Sequence, residues 1–156
     1  MSRAFTREDD SENQIADIGE RPVSTHRNLV TEHGLAQIEA ELGRLREDLA
    51  KAEGEADRER IATVSRDLRY WQARRENAEV SVPEPDSSVV RFGMKVTIED
   101  DDGKRNAWRL VGEDEANAAT GSISHVSPMA QALFGKGVGE VATVNGRDWE
   151  IVEIRI

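Results

Sequence analysis

The chain has 156 residues, with 21 Lys or Arg against 31 Asp or Glu, for a net charge of -10. Charged residues make up 33% and cysteine is absent, which excludes a disulfide scaffold, a thiolate zinc site and a cysteine nucleophile. No apolar run nears the roughly 18 residues of a membrane span, and the acidic balance argues against a general duplex binder and toward a basic protein surface or a metal as partner.

The acidity is spread along the chain, at -2 over residues 1–30, -3 over 31–80 and -5 over 81–156. The first 30 residues lack the apolar core of a secretory signal. They read as a flexible acidic leader, because their few unpatterned apolar side chains cannot offset the entropy of ordering.

Residues 31–80 carry a helical period. Leu35, Ile38, Leu42, Leu45 and Leu49 form one seam, and Ile61, Val64, Leu68 and Trp71 a second. Both have the 3–4 spacing of coiled-coil positions, and Thr31 is placed to cap the first helix. Gly54 sits in a polar stretch between the seams, which are out of register across 50–60. An antiparallel helical hairpin with its tip at 53–57 follows, since one stripe must bury itself against the other. A single continuous helix is the rival reading. Tyr70 and Trp71 are expected in the core at the base of the hairpin.

Residues 81–88 form a linker, where Pro83 and Pro85 forbid a regular helix. Residues 89–156 switch to period 2. Val96 and Ile98 alternate with polar neighbours, and Trp108, Leu110 and Val111 lie on a return strand. Ile123 marks another strand, and Val141 to Ile154 a last hairpin. Asp102-Gly103 and Asn145-Gly146 are hairpin turn signals. Ser127, Pro128 and Gly135 bracket one short helix. The fold class is α+β: a helical hairpin, then an antiparallel β domain with a single short helix inside it.

Several stretches carry a resemblance. Thr31, Gly34, Ile38, Glu41, Leu42 and Leu45 open the first helix. Downstream stand Phe92-Gly93, the run from Arg109 to Ala116, Gly121 to Ser124, and Ser127-Pro128-Met129-Ala130 followed by Ala132-Leu133, Gly135-Lys136 and Gly139. Together they resemble the bacterial transcript-cleavage factors of the GreA/GreB family over residues 31–156. The resemblance implies a C-terminal domain of the FK506-binding-protein (FKBP-like) fold. It also implies a cytoplasmic, non-enzymatic factor that binds bacterial RNA polymerase at its secondary channel, with indirect contact to nascent RNA and no membrane. A closed hairpin gives no need for a dimer, so a monomer is expected. The family's acidic tip motif is missing between Leu45 and Trp71, and the arm is several turns shorter, so the chain is similar to a short-hairpin variant.

Three groups are candidates for function. The tip carboxylates Glu53, Glu55, Asp57 and Glu59 fall within seven residues. By resemblance Glu55 and Asp57 are the pair that would share a magnesium ion with the polymerase, the chain holding no cofactor of its own; the bland alternative is a solvated turn. Arg58, Arg66, Arg69 and Arg74-Arg75 place positive charge along one arm and are candidate contacts to RNA or the channel, against the alternative of ion pairs with Glu39, Glu41, Glu47 and Asp48. The corner made by Ser124, Ser127, Pro128 and Met129 is the candidate polymerase-docking surface; Ser127 is equally a cap and Met129 equally core. Two rival functions come from other classes. One is a regulator of a nucleotide-metabolising enzyme, similar to short-armed regulators of nucleoside diphosphate kinase. The other is a peptidyl-prolyl isomerase, which needs an aromatic-lined pocket; Phe92, Trp108, Phe134 and Trp149 are the aromatics of residues 89–156, and they are needed for the domain's own core. The glycines at 135, 137 and 139 lack the strand-to-helix context of a phosphate loop.

Overall fold

Two periods in the sequence become two kinds of structure. The computed structural model describes residues 18–156, so the most polar part of the expected leader, 8–13, lies outside the described residues. The contacts divide the chain into two units. One holds Ile38–Asn77 with the described residues up to Thr25, and the other holds His26–Gln37 with Ala78–Ile156.

The first unit is built on helices α1 (Glu32–Gly54) and α2 (Arg58–Glu76). At 1.5 Å per residue, the 23 residues of α1 span about 35 Å. Ile38, Leu42, Leu45 and Ala52 of α1 are buried, as are Val64 and Leu68 of α2. Leu49, Ile61 and Trp71 are half-buried at the seam margins. Arg60 pairs with Asp48 and, nearer the base, Arg75 Nε lies 3.1 Å from Glu39. Partners that rise on one helix as they fall on the other make the pair antiparallel. The turn is closed by Glu55 N–H donating to Lys51 O at 3.0 Å and Asp57 N–H to Ala52 O at 3.0 Å. The left-handed residue of this turn is Ala56 (φ 52), not Gly54. Asp57 caps α2, its side chain accepting from Arg60 N at 3.2 Å.

Two expectations for this unit are revised. Arg74 is 1% exposed rather than displayed along the arm. Tyr70 and Trp71 are half-buried at the surface of α2, because the Arg21 guanidinium stacks 3.9 Å over the Tyr70 ring and shields it from one side.

The second unit begins inside the expected leader. Strand β1 (Asn28–Val30) pairs in parallel with β2 (Ala78–Val80), the strand that follows α2. Arg27 and Glu79 reinforce the ladder with a two-pronged pair at 3.1 Å. The main sheet is formed by β3 (Lys95–Glu99), β4 (Arg105–Val111), β5 (Ser122–Ser124), β6 (Val141–Val144) and β7 (Arg147–Arg155), in the order β5-β4-β3-β7-β6. All neighbours are antiparallel except β4 with β5, and the register between β3 and β7 shifts at Thr97/Ile98, where Val152 of β7 is the extra residue. Asn145 and Gly146, at φ 52 and 74, make the β6–β7 turn of the type that matches strand twist. Helix α3 (Pro128–Leu133) packs on one face of the sheet. The core joins Val90, Val96, Ile98, Leu110, Leu133 and Ile151, each 0% exposed.

The second unit also fixes the start of α1. Gly34 N–H donates to the Thr31 hydroxyl at 3.0 Å, the capping bond expected of Thr31. Glu115 then clamps this cap. Its carboxylate accepts from Thr31 N and Gly112 N, both at 3.1 Å, and from the Thr31 hydroxyl. Gly34 is buried directly against that carboxylate, and a Cβ there would lie 2.1 Å from Glu115 Cδ. A Cβ on Gly112 would lie 2.6 Å from the Leu29 carbonyl oxygen. Both glycines of the motif are therefore close-approach positions.

Candidate functional site

The hairpin tip is a charged turn in which two of the four candidate carboxylates, Glu55 and Asp57, are engaged. Residues 53–59 are all exposed. Arg60, absent from the sequence-based candidates, organises them. Its guanidinium bonds Asp48 and lies 3.3 Å from Glu55 Oε2, and its backbone N–H donates to Asp57 Oδ1. The hydrogen bond with Asp48 is the main cause that raises the Arg60 pKa, with Glu55 and Asp57 adding to it. The signal in the sequence was position: Arg60 follows Asp57 by three residues, within reach of the cap. Glu53 and Glu59 extend into solvent around this centre. With Glu55 held by a guanidinium and Asp57 spent on a cap, the pair does not fit a metal held by this chain alone. Among the described residues, no group of three or more His, Asp or Glu side chains is placed to hold a metal ion.

Helix α2 presents the second group. Arg66 lies 3.3 Å from Asp67 Oδ1. Arg69 grips Glu20 with Nε–O distances of 3.0 and 2.9 Å and an Nη2–O distance of 2.6 Å. That hydrogen bond is the largest influence lowering the Glu20 pKa, with the charge of Arg66 contributing. Two of the foreseen carboxylates bind arginines: Glu39 binds Arg75, one of the arginines set against it in the sequence, and Asp48 binds Arg60, which was not among them. Glu41 binds Arg44 of its own helix, with a shortest N–O distance of 2.5 Å. Arg58 lies on the exposed first turn of α2. Thus the structure brings Arg66 and Arg69 together on one helix with Glu20, a partner no periodicity could announce.

The corner before α3 is tied by local hydrogen bonds. Ser127 accepts from Ala130 N at 3.3 Å, as its N-cap role requires, and donates its own N–H to Ser124 O at 3.0 Å. The Ser124 hydroxyl accepts from Val126 N at 3.2 Å, and Gln131 Nε2 donates to His125 O at 2.6 Å. Pro128 is exposed, whereas Met129 packs against the core. Beside the corner runs a hollow of about 420 Å³ lined by Leu29, Phe92, His125, Val126, Gln131 and Phe134. Phe92 meets His125 edge-on, with centroids 5.5 Å apart. Trp149 is in the core, with Trp108 and Phe134 packed against it. The sequence placed Phe92 and Phe134 in the core; the fold gives both an edge on this hollow.

Comparison with known proteins decides the family. Residues 84–156 match the family described as "Transcription elongation factor, GreA/GreB, C-term". Transcription elongation factor GreA of Azorhizobium caulinodans is 43% identical over 81 residues, which are 49% of this chain and about half, 52%, of that protein. Transcription elongation factor GreB of Pseudomonas aeruginosa is 33% identical over 149 residues, covering 81% of this chain and 89% of the relative. This chain belongs to the GreA/GreB family. Among solved structures, GreA factor homolog 1 of Thermus thermophilus aligns over 83% of this chain and 99% of its own, at 23% identity and a TM-score of 0.42. Family membership therefore rests on the sequences, and the family match over residues 84–156 spans the Phe92-Gly93, Arg109–Ala116 and Ser127–Gly139 stretches. Among the described residues, no helix is long and apolar enough to cross a membrane.

Proposed function

We propose that the chain binds bacterial RNA polymerase in the cytoplasm at the secondary channel and modulates elongation by occupying that channel. The second unit docks through Ser124, Ser127, Pro128 and the neighbouring aromatic hollow, and the hairpin enters. Family membership supports the partner. The observation that carries the reading is the hairpin itself: two antiparallel helices, closed by a fully exposed turn, with apolar residues used up in the seam between them. Such an arm offers charge rather than apolar surface to whatever surrounds it.

The state of the tip supports occupancy over metal delivery. Glu55 lies beside the Arg60 guanidinium and Asp57 caps α2, so the arm arrives with these two carboxylates already engaged. The chain contributes no bond-making step. Its arginines on α2 are the groups suited to meet RNA phosphates, because a guanidinium fork matches two phosphate oxygens.

The test is an arrested elongation complex supplied with the protein and with a Glu55→Gln, Asp57→Asn double variant. Occupancy predicts that both change elongation to the same extent. An effect that requires the two carboxylates would overturn it and reinstate metal sharing.

A further inference from the structure

The two helices of the hairpin carry opposite charge. Helix α1 has six acids and three bases, and α2 has six arginines and three acids. A helix of net +3 is unexpected in a chain of net -10. Helix pairing accounts for Arg60 and Arg75, which meet Asp48 and Glu39 of α1. It does not account for Arg69, whose carboxylate comes from 49 residues upstream.

That carboxylate, Glu20, arrives on a segment with neither helix nor strand over residues 18–27. Arg21 seats the segment on α2, 3.9 Å over the Tyr70 ring and 3.5 Å from Asp67 Oδ1. Glu20 then places both oxygens on the fork of Arg69, next to Arg66. A carboxylate so placed occupies the positions that two phosphate oxygens would take. The pair is open to solvent, with side chains 53% and 62% exposed. Such pairs are weak and screened by salt.

We propose that residues 18–25 form an internal strap in which Glu20 stands in for an RNA phosphate on Arg69, so that the strap competes with single-stranded RNA for the arginine face of α2. This rests on the reading that the arginine face meets RNA and adds its regulation. Binding then requires the strap to lift, and the apparent affinity is the intrinsic one scaled by the fraction lifted. A ligand with several phosphates in succession outcompetes one tethered carboxylate, whereas a single inorganic phosphate does not.

The test is fluorescence anisotropy of the full chain with a labelled single-stranded RNA 12-mer at low salt. Glu20→Gln is expected to tighten binding about three- to tenfold, as a strap occupied most of the time predicts. The gain should shrink as salt is raised, because the exposed Glu20–Arg69 pair is itself screened and the strap then lifts more easily. Arg69→Ala should weaken binding and, combined with Glu20→Gln, cancel the gain. If Arg69→Ala weakens binding while Glu20→Gln behaves as the parent, the strap is not a competitor, and the arginine face stands without it. If Arg69→Ala changes nothing in either background, or no variant binds, both the strap and the RNA-facing reading fall. Capture by polymerase, measured separately, is unaffected by either outcome.

Discussion

Replacing Gly34 by Ala tests the joint that starts α1. In an ordinary helix, this change stabilises by about 1 kcal/mol. Here the new Cβ would lie 2.1 Å from Glu115 Cδ, 2.3 Å from Oε2 and 2.6 Å from Cγ, so the Glu115 side chain must swing away. Leaving costs it the bonds from Thr31 N, the Thr31 hydroxyl and Gly112 N. Bonds to a charged group contribute about 1.5–3 kcal/mol each. Taking the low end, and allowing water to replace part of the loss at this half-buried site, the net effect is a destabilisation of about 2–3 kcal/mol. For a chain of this size that lowers the thermal midpoint by about 5–10 °C, read by circular dichroism. The decisive comparison is the same change in a Glu115→Ala background, where the obstacle is gone. There, Gly34→Ala should be neutral or stabilising, so the sign reverses. An unchanged or raised midpoint for Gly34→Ala alone, or an equal loss in both backgrounds, would refute the clamp.

Other predictions use the same logic. Ala56 holds φ 52 in the tip turn, a conformation that costs an L-residue about 1–2 kcal/mol. Ala56→Gly should therefore raise urea stability by about 1 kcal/mol, and a loss would show the turn to be built differently. Leu133, the last residue of α3, is 0% exposed in the core, and Leu133→Ala should cost about 2–5 kcal/mol in chemical unfolding. Glu20, Glu41 and Glu79 titrate below the ordinary 4.5, each chiefly through a hydrogen bond from Arg69, Arg44 and Arg27 respectively. A carboxyl lowered in the folded chain binds protons more readily when unfolded, so its contribution is present above pH 4.5 and lost as pH falls below it. The thermal midpoint should thus drop on acidification through that range. Glu79→Gln should flatten the slope, and a midpoint that rises instead would contradict the pairing.

Much of the architecture was legible because it follows from periods of side-chain burial. The seams of α1 and α2, the period-2 strands, the Asn145-Gly146 turn and the Ser127 cap all rest on rules that act within a few residues. Distance along the chain hid the rest. Strand β1 is three residues long and pairs with β2, some 50 positions later, so nothing local marked it. Glu20 and Arg21 bind α2 across 46 to 49 residues, and Glu115 reaches Thr31 across 84. The candidate sites divide in the same way. The acidic tip and the corner at Ser127 stand where the spacing put them. Arg60, which engages the tip carboxylates, and the hollow between Phe92 and Phe134 emerge only when the elements fold together. Gly34 and Gly112 carried meaning only as motif positions until the Glu115 carboxylate and the Leu29 carbonyl were seen against them.

The central claim is that this chain engages RNA polymerase through the corner at α3. Titrating fluorescently labelled chain with core bacterial polymerase measures it directly, alongside a Ser127→Ala, Pro128→Ala variant. The account predicts saturable binding at or below micromolar concentration and at least a several-fold loss for the variant. No binding by the intact chain at micromolar polymerase, or equal binding by the two, would contradict it.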